Sequence, residues 1–300
     1  MSRVDQAFRR ASGRSAAEAF DDAASPEMGY DLFPAEERKK TVAMPDGRRA
    51  RAASGPTAPA GVPTPTHLGP EVGGKVVIDH ATPGASIEEY RRLAATLHLM
   101  QAQKGLQALI VSSALPRDGK TLTSTNLALT LSESYKRRVL LVDADLRRPA
   151  LHDVFGLSNV QGLADGLRAT GPISLPFMQV SNHLTVLPAG RPDASPMAGL
   201  TSERMRDVIA DARERFDWVI VDTPPVGLIS DASLLASLVD GVLLVIGAGA
   251  TPYDAVKRAV AEFGRERIIG VVLNRVVDDI ARRGYYREYY QASGGAGERE

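Results

Sequence analysis

From about residue 75 onward, short unbroken apolar runs alternate with stretches of helical period. The runs are Ala108–Val111, Val139–Val142, Leu184–Leu187, Trp218–Val221, Val242–Ile246 and Ile268–Leu273. They are rich in Val, Ile and Leu and lack polar alternation, as strands buried on both faces should. Between them, Ser202–Phe216 and Asp254–Phe263 carry helical periodicity. Ahead of the first run, Ile87, Tyr90, Leu93, Ala94 and Leu97 fall on one helical face. This alternation predicts an α/β fold, a mostly parallel sheet flanked by helices on both faces. Ligands of such sheets bind beyond the carboxyl ends of the strands, so candidate chemistry is sought there.

Three strand ends carry it. The first run leads into Ala114-Leu-Pro-Arg-Asp-Gly-Lys-Thr121 and then a helical stretch, Thr121–Tyr135. Strand, loop and helix in that order are the setting of a Walker A phosphate loop. Backbone N–H groups in such a loop form an anion nest, and the helix N-terminus adds partial positive charge. Pro116, Arg117, Asp118, Gly119, Lys120, Thr121 and Leu122 are the candidate nucleotide contacts. Lys120 would reach the β- and γ-phosphates, and the Thr121 hydroxyl would bind Mg²⁺. The first glycine of the usual G-x-x-x-x-G-K-[ST] pattern is Ala114 here. The second end is Asp143-Ala-Asp-Leu-Arg147. Two carboxylates so close repel unless a cation lies near them, which a Mg²⁺–nucleotide or Arg147 would supply. Strand-terminal Asp residues also cap turns, but that accounts for one of the two better than both. The third end is Asp222-Thr-Pro-Pro225, a Walker B pattern whose carboxylate would support the metal.

The flanks differ from this core. Residues 1–75 are punctuated by Pro26, Pro34, Pro45, Pro56, Pro59, Pro63, Pro65 and Pro70, with few large apolar residues. They read as a flexible arm, leaving 76–283 as the nucleotide-binding domain and 284–300 as a C-terminal tail. Of eight tyrosines, four (Tyr285, Tyr286, Tyr289 and Tyr290) crowd into that tail. Gly284, Gly294, Gly295 and Gly297 around them disfavour a stable element. Such a tail suits a substrate segment threaded into a neighbouring subunit's site, or else an aromatic patch that packs on the core or a partner. Basic and acidic side chains number 36 each, for a formal net charge of zero, so electrostatics give no case for nucleic-acid binding. There are no cysteines, which excludes thiol catalysis and Cys-ligated zinc and agrees with a cytoplasmic location. The longest apolar stretch, Val239–Ala250, is interrupted by Asp240 and is too short to span a bilayer.

With these motifs in hand, the chain resembles the bacterial tyrosine kinases (BY-kinases) of capsule and exopolysaccharide biosynthesis over about residues 78–290. The features are the Walker A at Ala114–Thr121, an Asp-x-Asp motif called Walker A′ at Asp143–Arg147, the Walker B at Asp222–Val226, and the tyrosine cluster. Phe155–Leu163, Ser230–Ala236 and Gly270–Arg275 are also similar to family segments. The resemblance implies a P-loop ATPase fold of the deviant Walker A type, with ATP and Mg²⁺ as cofactors. It implies that Lys120 and Thr121 bind phosphate and metal, that Asp143 and Asp222 support the metal, and that Asp145 is the base for an incoming tyrosine. Asn274 would lie near the adenine, and Tyr285, Tyr286, Tyr289 and Tyr290 would be autophosphorylated between subunits. It further implies self-association and a separate transmembrane polysaccharide co-polymerase that recruits the kinase to the inner face of the membrane. Positioning and partitioning ATPases share the fold and carry a signature lysine four residues before Gly119, where this chain has Leu115. Their nucleotide-switch activity is the alternative reading; a non-catalytic scaffold with a tyrosine tail is a third. Two departures from the family stand out. The first-helix pattern Glu-x-x-Arg-x-x-Arg, used for subunit contacts, ends on Ala94 here, and Gly247 follows the strand where the family often has Arg.

Overall fold

In the computed structural model, residues 76–77, 84–171, 174–227 and 231–276 are described. The proline-rich arm and the tyrosine tail lie outside them. Each predicted apolar run is a strand, extended by a residue or two in all but β4: β1 (Ala108–Ser113), β2 (Val139–Asp143), β4 (Leu184–Leu187), β5 (Trp218–Asp222), β6 (Gly241–Gly247) and β7 (Ile268–Asn274). A two-residue strand, β3 (Met178–Gln179), adds an antiparallel edge against β4. The sheet has seven strands in the order β3-β4-β2-β5-β1-β6-β7, parallel apart from β3.

Strand alternation divides the core into two layers. Ala108 and Ile110 of β1, Leu140 and Val142 of β2, and Val219 and Val221 of β5 face one side. That side is covered by α4 (Leu163–Arg168), α5 (Met197–Leu200), α6 (Glu203–Arg215), α7 (Asp231–Leu235) and α8 (Tyr253–Phe263). Leu109, Val111, Val139, Leu141, Trp218 and Ile220 face the other. There α1 (Gly84–Lys104), α2 (Lys120–Leu129) and α3 (Leu151–Phe155) pack. Every residue of β1, β2, β5 and β6 is buried, which is why these runs read as continuous rather than alternating. The same parity puts Asp143 and Asp222, the last residues of β2 and β5, on the α2 side.

The chain runs from β1 to β2, skipping the place that β5 later fills, and β6 and β7 build outward on the opposite side of β1. The order therefore reverses beside β1, and a crevice opens there at the carboxyl ends. The predicted helix 121–135 is α-helical only to Leu129 and continues as a π-helical turn over Thr130–Ser134. The Thr130 hydroxyl donates to the Asn126 carbonyl at 2.7 Å and that of Ser132 to Leu129 at 3.2 Å. Such back-bonding hydroxyls compete with the α-helical ladder. Among the described residues no helix is long and apolar enough to cross a membrane.

Candidate active site

The loop after β1 folds into an anion cradle. Arg117 has φ 67° and Gly119 φ 100°, so the backbone turns through the left-handed region twice within three residues. That curls successive N–H groups toward one concavity. Gly119 is the N-cap of α2, and no side chain caps the helix there. The first-turn N–H groups are thus left for a ligand. Gly119 is required twice over: its φ suits glycine, and a Cβ there would collide with the Asn274 side chain. A cavity of about 470 Å³ opens in front of the loop. Pro116, Arg117, Gly119, Lys120, Thr121 and Leu122 line it, with Asp145, Arg147, Arg148, Pro224 and Pro225 opposite.

The three strand ends converge on this cradle. Asp143 and Asp222 are register partners across β2 and β5. The Thr121 hydroxyl donates to Asp222 Oδ2 at 2.8 Å, and Lys120 Nζ donates to Asp145 Oδ2 at 3.1 Å. Both ends of the Lys120–Asp145 pair are largely buried, at 14% and 7% side-chain exposure. Asp143 is held by the backbone that follows it. Its Oδ2 accepts from Ala150 N and Leu151 N, each at 3.0 Å, and its Oδ1 from Asp145 N at 3.2 Å.

The electrostatics show a shortage of positive charge. Burial pushes the Asp143 carboxyl up to about 7, and neighbouring Asp222 adds to the rise against the opposing N–H groups of Leu151 and Ala150. Burial likewise raises Asp222, although Lys120 and the Thr121 hydroxyl oppose it. For Lys120, burial would lower the pKa, but Asp222, Asp145 and Asp143 together outweigh it and hold the ammonium above its ordinary range. One lysine among three carboxylates leaves this buried cluster formally net negative, while Arg117, Arg147 and Arg148 line the cavity around it.

That donor set fits a magnesium–nucleotide. Asp222 Oδ1 is buried and makes no well-formed hydrogen bond among the described residues. The nearby Ser124 hydroxyl, which eases the Asp222 charge, is turned to the Thr121 carbonyl at 2.9 Å. A threonine hydroxyl, a buried aspartate with spare acceptor capacity and an anion nest are the oxygen ligands and phosphate seat that Mg²⁺ takes. Among the described residues no three His, Cys, Asp or Glu side chains form a metal cage by themselves. Mg²⁺ needs none, since it keeps waters and borrows phosphate oxygens.

Three predicted residues are engaged by other parts of the protein. Asn274 lies behind the loop, donating from Nδ2 to the Asp118 carbonyl at 2.9 Å. Asp118 faces away from the cavity, and its carboxylate accepts from Leu115 N at 2.9 Å and from the Thr251 hydroxyl at 2.6 Å. Arg147, one of the two counter-charges considered for Asp143 and Asp145, donates to Asp231 Oδ2 at 2.9 Å and to the Ala194 carbonyl at 2.7 Å. Lys120 takes the Asp145 role. The sequence reading missed Thr251 and Asp231 as partners. Each lies more than eighty positions from the residue it holds, and although Asp231 falls in the family-like segment Ser230–Ala236, nothing there points to Arg147.

Fold and cradle together define a P-loop nucleotide-binding domain. The profile of the CobQ/CobB/MinD/ParA nucleotide binding domain (CbiA) matches residues 118–292. The chain is 32% identical over 204 residues to tyrosine-protein kinase YwqD of Bacillus subtilis, covering 66% of this chain and 85% of YwqD. It is 32% identical over 213 residues to tyrosine-protein kinase wzc of Salmonella typhimurium, covering 69% of this chain but 30% of wzc. The kinase domain of Escherichia coli tyrosine kinase ETK superposes with a TM-score of 0.58 at 30% identity, covering 64% of this chain and 77% of that one. The chain belongs to the bacterial tyrosine-protein kinase family, and it is a protein-tyrosine kinase.

Proposed function

We propose that this kinase transfers the γ-phosphoryl group of Mg·ATP to its own tail tyrosines, Tyr285, Tyr286, Tyr289 and Tyr290, between subunits. The observation that carries the reading is the meeting of three strand ends: Lys120 on Asp145, Thr121 on Asp222, and Asp222 in register with Asp143. Phosphoryl transfer asks little covalent chemistry of a protein and much positioning and charge stabilisation. The α2 N-terminus and loop N–H groups seat the phosphates. Lys120 binds the β- and γ-phosphate oxygens. Thr121 and Asp222 would hold the magnesium ion, with Asp143, the register partner of Asp222, also supporting it. Bound magnesium would offset the carboxylate charge and neutralise charge building on the phosphate oxygens.

A tyrosine hydroxyl ordinarily ionises near pKa of about 10, so a placed carboxylate assists its deprotonation. Asp145 lines the cavity beside Lys120 and takes that proton. The phenolic oxygen forms the new P–O bond as the bond to the ADP leaving group breaks. Asn274 supports the loop near the nucleoside end. Residues 1–75 and 284–300 are arm and tail around the 76–283 domain. By family resemblance, the kinase acts with a transmembrane polysaccharide co-polymerase that recruits it to the inner face of the membrane, regulating capsule or exopolysaccharide polymerisation.

The test is to incubate the full chain with Mg·ATP and map phosphorylation by mass spectrometry. Phosphotyrosine confined to 285–290 supports the reading. Nucleotide hydrolysis with no phosphotyrosine would favour the nucleotide-switch alternative.

A further inference from the structure

The phosphate loop is costly to hold in shape. Two of its residues occupy the left-handed region, and one of them, Arg117, is not glycine. A conformation of that kind persists only where the surroundings over-determine it. Most of the fixing contacts run to one residue. Asp118 Oδ2 takes the Leu115 N–H at 2.9 Å, closing the loop across its own start. Asp118 Oδ1 takes the Thr251 hydroxyl at 2.6 Å. The Asp118 carbonyl takes the Asn274 amide at 2.9 Å. Thr251 is itself fixed, because its hydroxyl accepts from Gly247 N at 3.0 Å while donating to Asp118. Both side chains are buried. The loop after β1 is thus clamped from behind by the segment after β6 and the end of β7, on the side away from the cavity.

Gly247 belongs to the same arrangement. A Cβ there would lie 3.0 Å from Asp118 Oδ1 and 3.2 Å from Thr251 Oγ1. The Asp118–Thr251 pair fills the space that any larger residue at 247 would claim. The glycine in place of the family's frequent arginine has this physical counterpart.

We propose that Asp118 and Thr251 are positioning residues: their hydrogen bond holds the phosphate loop in its anion-binding shape and so sets nucleotide affinity, not the rate of phosphoryl transfer. This rests on the loop being the nucleotide site. Thr251→Val keeps the side-chain shape but leaves Asp118 Oδ1 and the Gly247 N–H without their partner. Losing one hydrogen bond to a charged group should weaken nucleotide binding about tenfold. Thr251→Ser keeps the hydroxyl and should restore it. Asp118→Asn attacks the contact from the other side: its single carbonyl oxygen can keep only one of the Leu115 N–H and Thr251 hydroxyl donors, and its amide nitrogen can accept from neither.

The experiment uses the full chain, with Mg·ADP as the binding probe measured by calorimetry, and tail phosphorylation measured at varied ATP. The expected result has four parts. Thr251→Val raises the Mg·ADP Kd and the KM for ATP about tenfold, with kcat nearly unchanged. Thr251→Ser behaves as the parent. Asp118→Asn weakens binding to a similar degree. The double variant Asp118→Asn/Thr251→Val is no weaker than the worse single. Should the valine variant not fold, the Asp118→Asn and Thr251→Ser comparisons carry the same decision. Parent-like nucleotide affinity in Thr251→Val or Asp118→Asn, or a fall in kcat with KM unmoved, would overturn the proposal. Lys120→Met is run alongside. Loss of phosphotyrosine there with intact binding in the clamp variants sinks the clamp alone, whereas unchanged phosphotyrosine in Lys120→Met sinks the site.

Discussion

The raised Asp143 acid makes a sharp prediction for Asp143→Asn in the nucleotide-free protein. The folded-state pKa is about 7 against an ordinary 3.8. Between those values the native chain binds the proton and the unfolded chain has released it, so stability falls as pH rises through that window. Three units correspond to a ceiling of about 4 kcal/mol. Asparagine abolishes this loss. Its carbonyl oxygen can keep the Ala150 and Leu151 N–H groups, but its amide then faces Asp145 N, now 3.2 Å from Asp143 Oδ1. Setting a donor against a donor costs about 1–2 kcal/mol. The balance changes sign with pH. Near about pH 8 the variant should be more stable by about 2 kcal/mol; near about pH 3, where the parent carboxyl is protonated in the folded and the unfolded chain alike, it should be less stable by about 1 kcal/mol. For a domain of this size that is a melting temperature higher by about 5 °C in alkali and lower by about 3 °C in acid. The assay is thermal unfolding of both proteins from acid to alkaline pH without nucleotide. Added Mg·ADP should then stabilise the parent more than the variant. A variant less stable by the same margin at every pH would refute the buried-charge argument, and with it the case that the site is short of a cation.

Other outcomes follow from the same geometry. Lys120→Met removes the cation that faces Asp145 at 3.1 Å; tail phosphorylation should fall by at least about a hundredfold, read by phosphotyrosine mass spectrometry, with the far-ultraviolet dichroism of the fold retained. Gly119→Ala places a Cβ into the Asn274 side chain at a φ of 100°. It should abolish measurable Mg·ADP binding in calorimetry, a far larger loss than Gly→Ala causes at an unstrained position. Thr121→Val deletes the 2.8 Å bond to Asp222 and a metal ligand together; the Mg²⁺ concentration for half-maximal kinase activity should rise about tenfold or more. Four phosphates on one tail would add about −6 to −8 charge. Phosphatase treatment should therefore increase the assembly's mass by light scattering, and an unchanged mass would count against charge-driven loosening.

Much of this site was legible because a buried parallel strand announces its own end. Leu140–Val142 and Val219–Val221 must be apolar to be covered on both sides, and the first carboxylate after each run falls where the sheet stops. Equal phase against the core then makes Asp143 and Asp222 neighbours. What stayed hidden has equally physical reasons. β3 spans two residues and α3, α4, α5 and α7 span four to six, too few for any periodicity to register. The Asp118–Thr251 and Arg147–Asp231 contacts join segments 133 and 84 positions apart, and only the fold brings them together. Nothing in the Asp143-Ala-Asp-Leu-Arg147 run shows that its arginine turns out to Asp231 while a lysine from another strand end neutralises Asp145.

Leu115 links these two kinds of information. In sequence it is the absence of the positioning ATPases' signature lysine. In the structure its side chain packs, partly buried, on the core layer under α4–α8, and its N–H closes the loop onto Asp118. A lysine there would have to withdraw an apolar contact from that layer and carry its charge past Arg117, Arg147 and Arg148, which already rim the cavity. The loop is therefore braced by a leucine in the core and a carboxylate behind it. Lys120, which lines the cavity and pairs with Asp145, is the loop's one lysine.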